Sequence, residues 1–273
     1  MKTTKQKTKT ALVTGAASGL GFELALLLAK DNYNLILVDV NAEKLEEAKQ
    51  ELVKKFPVEI QLLNKDLGKQ DAAQEIFDVL NAQSIDVLIN NAGFGIFGSF
   101  NDTDWQRDAA MLNLHVMTTT HLTKLVLKGM VERGSGKIMN MSSLAAFQPG
   151  PLMSLYYASK AYILSFSEAI ANELKGTGVT VTCLCPGQTK TCFQEVVSNG
   201  TKASENKIKF NIGDAKEVAE YGYESMLKGK VVAIPGNFNK FLSKLPRFVP
   251  RRTATSIIRK IQEKNRTNNR GAK

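Results

Sequence analysis

Short apolar segments alternate with helix-like ones along residues 11–237, and this alternation constrains the fold of the 273-residue chain more than any other feature. Strand-like runs fall at 11–14, 34–40, 58–63, 85–89, 137–141, 179–184 and 231–234. Between them, apolar residues recur at helical spacing over 20–30, 42–55, 69–82, 104–133, 154–175 and 215–228. The run at 34–40 (NLILVDV) is almost continuously apolar, as in a strand covered on both faces. Parallel neighbours need a crossover long enough to hold a helix, and the intervening segments supply one each time. The sequence therefore predicts one α/β domain over 11–237, a doubly wound seven-stranded parallel sheet with helices on both faces. Three stretches lie outside the rhythm. Residues 1–10 form a basic arm, 188–213 is polar and irregular like a flap over a site, and 238–273 forms a basic helical tail.

Composition narrows the class further. With 43% hydrophobic and 23% charged residues the chain can bury a sizeable core. Its net charge of +10 resolves into +4 over 1–10, −4 over 11–237 and +10 over 238–273. The body is thus mildly acidic, which argues against a nucleic-acid partner. Cys183, Cys185 and Cys192 are too few and too closely spaced for a secreted disulfide framework. His115 and His121 stand six apart, and no ligand spacing suggests a metal site. No apolar stretch follows the Lys-rich start and none is long enough to span a bilayer, so a soluble, cytoplasmic protein is expected.

The first strand runs into Thr14-Gly15-Ala16-Ala17-Ser18-Gly19-Leu20-Gly21, which opens the first helix. Glycines let the backbone turn sharply and approach a pyrophosphate, whose charge meets free N–H groups at the helix start. Gly15, Ser18, Gly19, Leu20 and Gly21 are accordingly candidate dinucleotide contacts. Asp39 ends the second strand, 18 residues past Gly21. A carboxylate there accepts from the adenosine ribose hydroxyls and repels a 2′-phosphate. No Arg or Lys stands in the turn or at Val40 and Asn41, so NAD is expected in preference to NADP. Asp39 can also serve as a turn residue or as the cap of the helix at Ala42, roles compatible with that contact.

Tyr156 and Lys160 are four apart near a helix start, hence one above the other on one face. Ser143 lies just past the preceding strand, and an Asn-Asn-Ala-Gly run occupies 90–93 after the strand before that. Both stand where an open parallel sheet has its ligand crevice. With the Thr-Gly-x-x-x-Gly-x-Gly turn, Asp66, the Tyr-Tyr-Ala-Ser-Lys run at 156–160 and Pro-Gly-Gln-Thr at 186–189, the chain resembles the one-domain short-chain dehydrogenase/reductase family over residues 11 to about 237.

That resemblance implies a Rossmann-type fold and hydride transfer between a nicotinamide cofactor and an alcohol/carbonyl substrate. It makes Tyr156 the general acid/base. Lys160 would favour its phenolate and hold the nicotinamide ribose, and Ser143 would orient the substrate oxygen. It places Asp66 and Leu67 beside the adenine, and Asn90 with Ala92 and Gly93 along the cofactor. Pro186, Gly187 and Thr189 fall at the nicotinamide, with Thr191 on the flap. Tyr157 is expected to pack. The family's Asn on the long helix aligns with His115, which either replaces it in the proton relay or is a packed helix histidine; Asn113 points elsewhere. A regulatory or scaffold protein that binds the dinucleotide without turnover is the alternative reading.

Phe94, Phe97, Phe147, Leu152, Met153 and Phe193 surround the expected site in sequence and suggest an apolar pocket for a small-molecule alcohol or ketone. A homodimer or homotetramer is expected from the family analogy. In the tail, Phe238, Phe241, Leu242 and Leu245 recur at helical spacing among Lys240, Lys244 and Arg247. The favoured reading is a helix docked on its own body or closing the substrate mouth. Contact with an anionic membrane or another acidic partner is the alternative, weakened by the interruptions at Pro246 and Pro250.

Overall fold

The computed structural model describes residues 8–81, 83–189 and 213–267. Its strands are β1 (Thr10–Thr14), β2 (Asn34–Asp39), β3 (Ile60–Asn64), β4 (Val87–Asn90), β5 (Gly136–Met141), β6 (Val179–Leu184) and β7 (Val232–Ala233). All pair in parallel in the order β3-β2-β1-β4-β5-β6-β7. The doubly wound Rossmann-type sheet read from the sequence is therefore what the chain forms. The helices are α1 (Gly19–Lys30), α2 (Ala42–Lys55), α3 (Ala72–Leu80), α4 (Trp105–Leu112), α5 (Thr119–Glu132), α6 (Ser154–Glu173), α7 (Ala215–Leu227), α8 (Asn237–Lys244) and α9 (Arg251–Thr267). Asn41, Asp104 and Asp214 cap α2, α4 and α7 through side-chain oxygens that accept backbone N–H bonds.

Alternation along each strand builds two cores. From β1, Ala11 and Val13 join Leu24, Leu28 and Leu37 on one face, while Leu12 joins Ile36, Leu88 and Leu122 on the other. Because β1 pairs with β2 on one side and β4 on the other, the strand order reverses there. A crevice opens at the carboxyl ends of those strands.

Several elements differ from the sequence reading: the helix read over 69–82 runs from Ala72 to Leu80, and the last strand shortens to Val232–Ala233. The third strand begins at Ile60 rather than at 58, beyond the Pro57 that has no N–H to give a ladder. The helix expected over 104–133 is interrupted at Asn113–Thr118 by a π-helical turn that contains His115. In the tail, a short 3-10 turn at Leu245–Phe248 joins α8 to α9. Most of the expected flap, including Thr191 and Phe193, lies outside the described residues, as does most of the N-terminal arm. Among the described residues no helix is long and apolar enough to cross a membrane.

Candidate active site

The glycine turn is held open by its neighbours. Gly15 and Gly19 adopt φ of +64° and +58°, a region costly for residues with a Cβ. A Cβ on Gly15 would stand 2.8 Å from the Ala92 Cα, and one on Gly21 would strike the Gly15 carbonyl oxygen. Gly21 thus packs the helix against the turn and does not face the crevice. The Thr14 hydroxyl accepts from the N–H of Asn91 (3.0 Å) and Ala92 (3.1 Å), and the Asn91 amide donates to the carbonyls of Thr14 and Gly15. The Ser18 side chain does not cap α1, so the helix start carries no side-chain acceptor. Such a cradle of uncapped N–H groups fits a diphosphate. Asp39 accepts from Ala17 N–H at 3.1 Å and Asn41 N–H at 3.0 Å, which fixes its carboxylate at the crevice edge.

Ser143, Tyr156 and Lys160 converge at the other end of the crevice. The Ser142 hydroxyl donates to the Lys160 carbonyl at 2.8 Å and pins α6 to the end of β5. Lys160 is buried, and its ammonium donates to the Met141 carbonyl at 3.0 Å. Burial pulls its pKa down to about 8. Burial pushes the Tyr156 phenol up to about 12, against a smaller downward pull from its hydrogen bond with Ser143. Tyr156 is therefore a neutral proton donor across the neutral range. The Lys160 nitrogen stands 5.7 Å from the Tyr156 ring centroid.

His115 lies fully buried beside this pair, its ring 5.9 Å from that of Tyr156. The Ser159 hydroxyl donates to the Tyr156 carbonyl (2.9 Å) and so offers a lone pair to His115, whose Nδ1–H donates to it at 2.9 Å. Nε2 is left as a bare acceptor, buried and without a hydrogen-bond partner among the described residues. Burial, reinforced by the Lys160 charge, holds the His115 pKa well below the usual histidine value and keeps the ring neutral. A Cβ on Gly93 would stand 2.7 Å from His115 Nε2 and 3.4 Å from Lys160 Nζ, so both nitrogens border one small space. Asn113 turns away and donates to the Gly68 carbonyl.

One cavity of about 810 Å³ joins these parts. Gly15, Ser18, Gly19, Leu20 and Asp39 line one end, Asp66, Leu67, Ala92 and Gly93 the middle, and Pro186, Gly187 and Thr189 the catalytic end. Asn90 corrects the sequence reading: its amide donates to Thr123 and Asn140 within the core and does not line the cavity. Its neighbour Asn91 lines it instead. Phe94 and Met153 reach the cavity, whereas Phe97, Phe147 and Leu152 do not line it. Tyr157, expected only to pack, also lines it and accepts a hydrogen bond from the Gln262 amide at 2.8 Å. The tail supplies a ceiling of Leu242, Leu245, Val249, Ile257, Ile258 and Ile261. No group of metal-ligating side chains occurs among the described residues.

A family model described as short chain dehydrogenase matches residues 9–202. A ketoacyl reductase, HetN, from Nostoc is 32% identical over 263 residues, which is 92% of this chain and 87% of that protein. A very-long-chain 3-oxoacyl-CoA reductase from Anas platyrhynchos is 36% identical over 182 residues, 64% of this chain. That match spans only 58% of the duck protein. Among solved structures, the bulky-bulky ketone specific alcohol dehydrogenase from Comamonas testosteroni superposes with a TM-score of 0.76 at 26% identity, over 89% of this chain and 92% of that one.

Proposed function

Because the chain belongs to the short-chain dehydrogenase family, whose members exchange hydride between a nicotinamide cofactor and an alcohol or carbonyl, we propose that it reduces the ketone of an apolar acyl substrate with NADH. The observation that carries this reading is the continuous cavity, with a dinucleotide cradle at one end, Ser143, Tyr156 and Lys160 at the other and an apolar ceiling supplied by the tail. The relatives named for 3-oxoacyl and ketoacyl reduction support the substrate class.

In this mechanism the reduced nicotinamide supplies the hydride when bound. Tyr156, a neutral phenol, donates its proton to the carbonyl oxygen, and Ser143 offers that oxygen a second hydrogen bond. Lys160 balances the charge left on the phenolate. His115, neutral and with a bare Nε2, offers a hydrogen-bond acceptor to the space it shares with Lys160 and so positions the proton relay behind it, the part an Asn plays elsewhere in the family. Asp39 selects NAD by disfavouring a 2′-phosphate, and Lys65, the one cation lining that end among the described residues, is paired with Glu75 at 2.8 Å.

Two further parts of the proposal concern setting. Met117 in the π-helical turn before α5 and Tyr162 of α6, which stacks on Phe166, are exposed; this face suits pairing of subunits into a homodimer or homotetramer. Cys183 and Cys185 are free thiols with sulfurs 3.8 Å apart, which suits a reducing, cytoplasmic setting.

The test is oxidation of NADH and NADPH with 3-oxoacyl thioesters of increasing chain length and with bulky ketones. Turnover should favour NADH and longer acyl chains. Tyr156→Phe should lower kcat by roughly 10²–10⁴-fold and leave NADH binding intact. Dinucleotide binding without turnover on any carbonyl would overturn the proposal.

A further inference from the structure

The first helix of the tail is turned inside out for a surface that faces water. On α8 the polar residues face the body: Asn239 donates to the Pro235 carbonyl at 2.8 Å and lies against Gly187, and Ser243 is buried as well. Leu242 lines the cavity, but the other large apolar residues of α8 and of the turn after it face outward. Phe238 and Phe241 are 46% and 60% exposed, and Leu245 and Phe248 in the following turn are 42% and 83% exposed. Scattered single hydrophobes on a surface need no explanation, but four large ones along eleven residues do.

Charge decides what covers them. Residues 237–262 contain seven cations, Lys240, Lys244, Arg247, Arg251, Arg252, Arg259 and Lys260, and no Asp or Glu. A second copy applied face to face would set these cations against their own kind. An anionic lipid surface answers both the exposed apolar side chains and the charge around them. Leu245 also lines the cavity, together with Pro246, Ile257 and Ile261, so the apolar surface runs on into the cavity wall.

We propose that α8 and the turn after it dock on an anionic bilayer. Phe238, Phe241, Leu245 and Phe248 enter the boundary between headgroups and acyl chains. Lys240, Lys244, Arg247, Arg251 and Arg252 lie among the headgroups, and the cavity mouth opens toward the lipid. The docking stands independently of the substrate assigned above; only its use, loading an acyl substrate from the bilayer, rests on that assignment.

Flotation of the full-length protein with vesicles tests it, using phosphatidylcholine alone or with about a third of phosphatidylserine. Binding should be at least roughly tenfold stronger to the anionic vesicles and should weaken as salt is raised. Phe241→Asp with Phe248→Asp should reduce binding roughly tenfold or more, with NADH binding and Tm unchanged, because neither side chain lines the cavity. Lys240→Glu with Lys244→Glu and Arg247→Glu should abolish the preference for anionic lipid. Failure of the wild type to float with anionic vesicles at low salt overturns the proposal. So does full binding by the double Phe variant, or loss of a dimer in that variant on sedimentation, which would assign the stripe to a second copy. Vesicle binding without turnover on acyl substrates would leave the docking standing and remove the substrate.

Discussion

Lys160 is held by atoms that no spacing rule displays. Ser142 fixes its backbone, the Met141 carbonyl accepts a hydrogen bond from its ammonium, and His115 closes the space beside it. Tyr156, Lys160 and Ser143 were legible because their chemistry needs those side chains at those intervals. Asn90 and Asn91 were not separable, because a strand's last residues alternate between core and crevice and the sequence does not mark which face is which. The pKa shifts set a pH dependence. Lys160 is depressed to about 8, so its charge is present below that value and lost above it, while Tyr156 stays protonated. Reductive kcat/KM should therefore be level below pH 7 and fall as pH rises past about 8, a profile read from steady-state rates at fixed ionic strength. His115 affects folding in the opposite direction. Its folded-state pKa is lowered by burial, so the unfolded chain binds a proton that the folded one refuses. Stability should be lost as pH falls below about 6.5, with a slope of up to about 1.4 kcal/mol per pH unit. Thermal melts of His115→Gln should lack that loss.

At the level of elements, the strands were readable because parallel strands buried on both faces leave continuous apolar runs, and helices because α2, α3 and α7 bury one stripe. The π-helical turn at Asn113–Thr118 was not, since one extra residue in a turn leaves the hydrophobic period nearly unchanged. Nor was the orientation of α8: periodicity finds an apolar face but does not say that Asn239 and Ser243 meet the body instead. The glycine turn shows how a local rule reverses in context. In a helix, Gly to Ala ordinarily stabilises by about 1 kcal/mol. Gly21→Ala should instead lower Tm by several degrees and weaken NADH binding at least about tenfold, because its Cβ would collide with the Gly15 carbonyl oxygen. Differential scanning fluorimetry with and without NADH measures both effects.

Across the whole molecule, function is divided along the chain. The crevice for the dinucleotide is built from residues 15–189, and the ceiling over the substrate end from 242–262. The net charge of +10 follows the same division, with a mildly acidic body and a cationic tail. The separation of tail from body was visible in that charge, but the tail's place over the cavity depends on tertiary packing that composition does not encode. A chain ending at Gly236 should bind NADH within a few-fold of the full protein, by fluorescence titration. Its KM for long-chain acyl substrates should rise at least about tenfold, since each buried methylene contributes about 0.8 kcal/mol. The order of synthesis then acquires a meaning. Among the described residues, a growing polypeptide makes the walls of its cofactor crevice between residues 15 and 189 and the ceiling only from 242 onward. If the tail sets selectivity, a protease that clips it should change which substrates are accepted while dinucleotide binding persists.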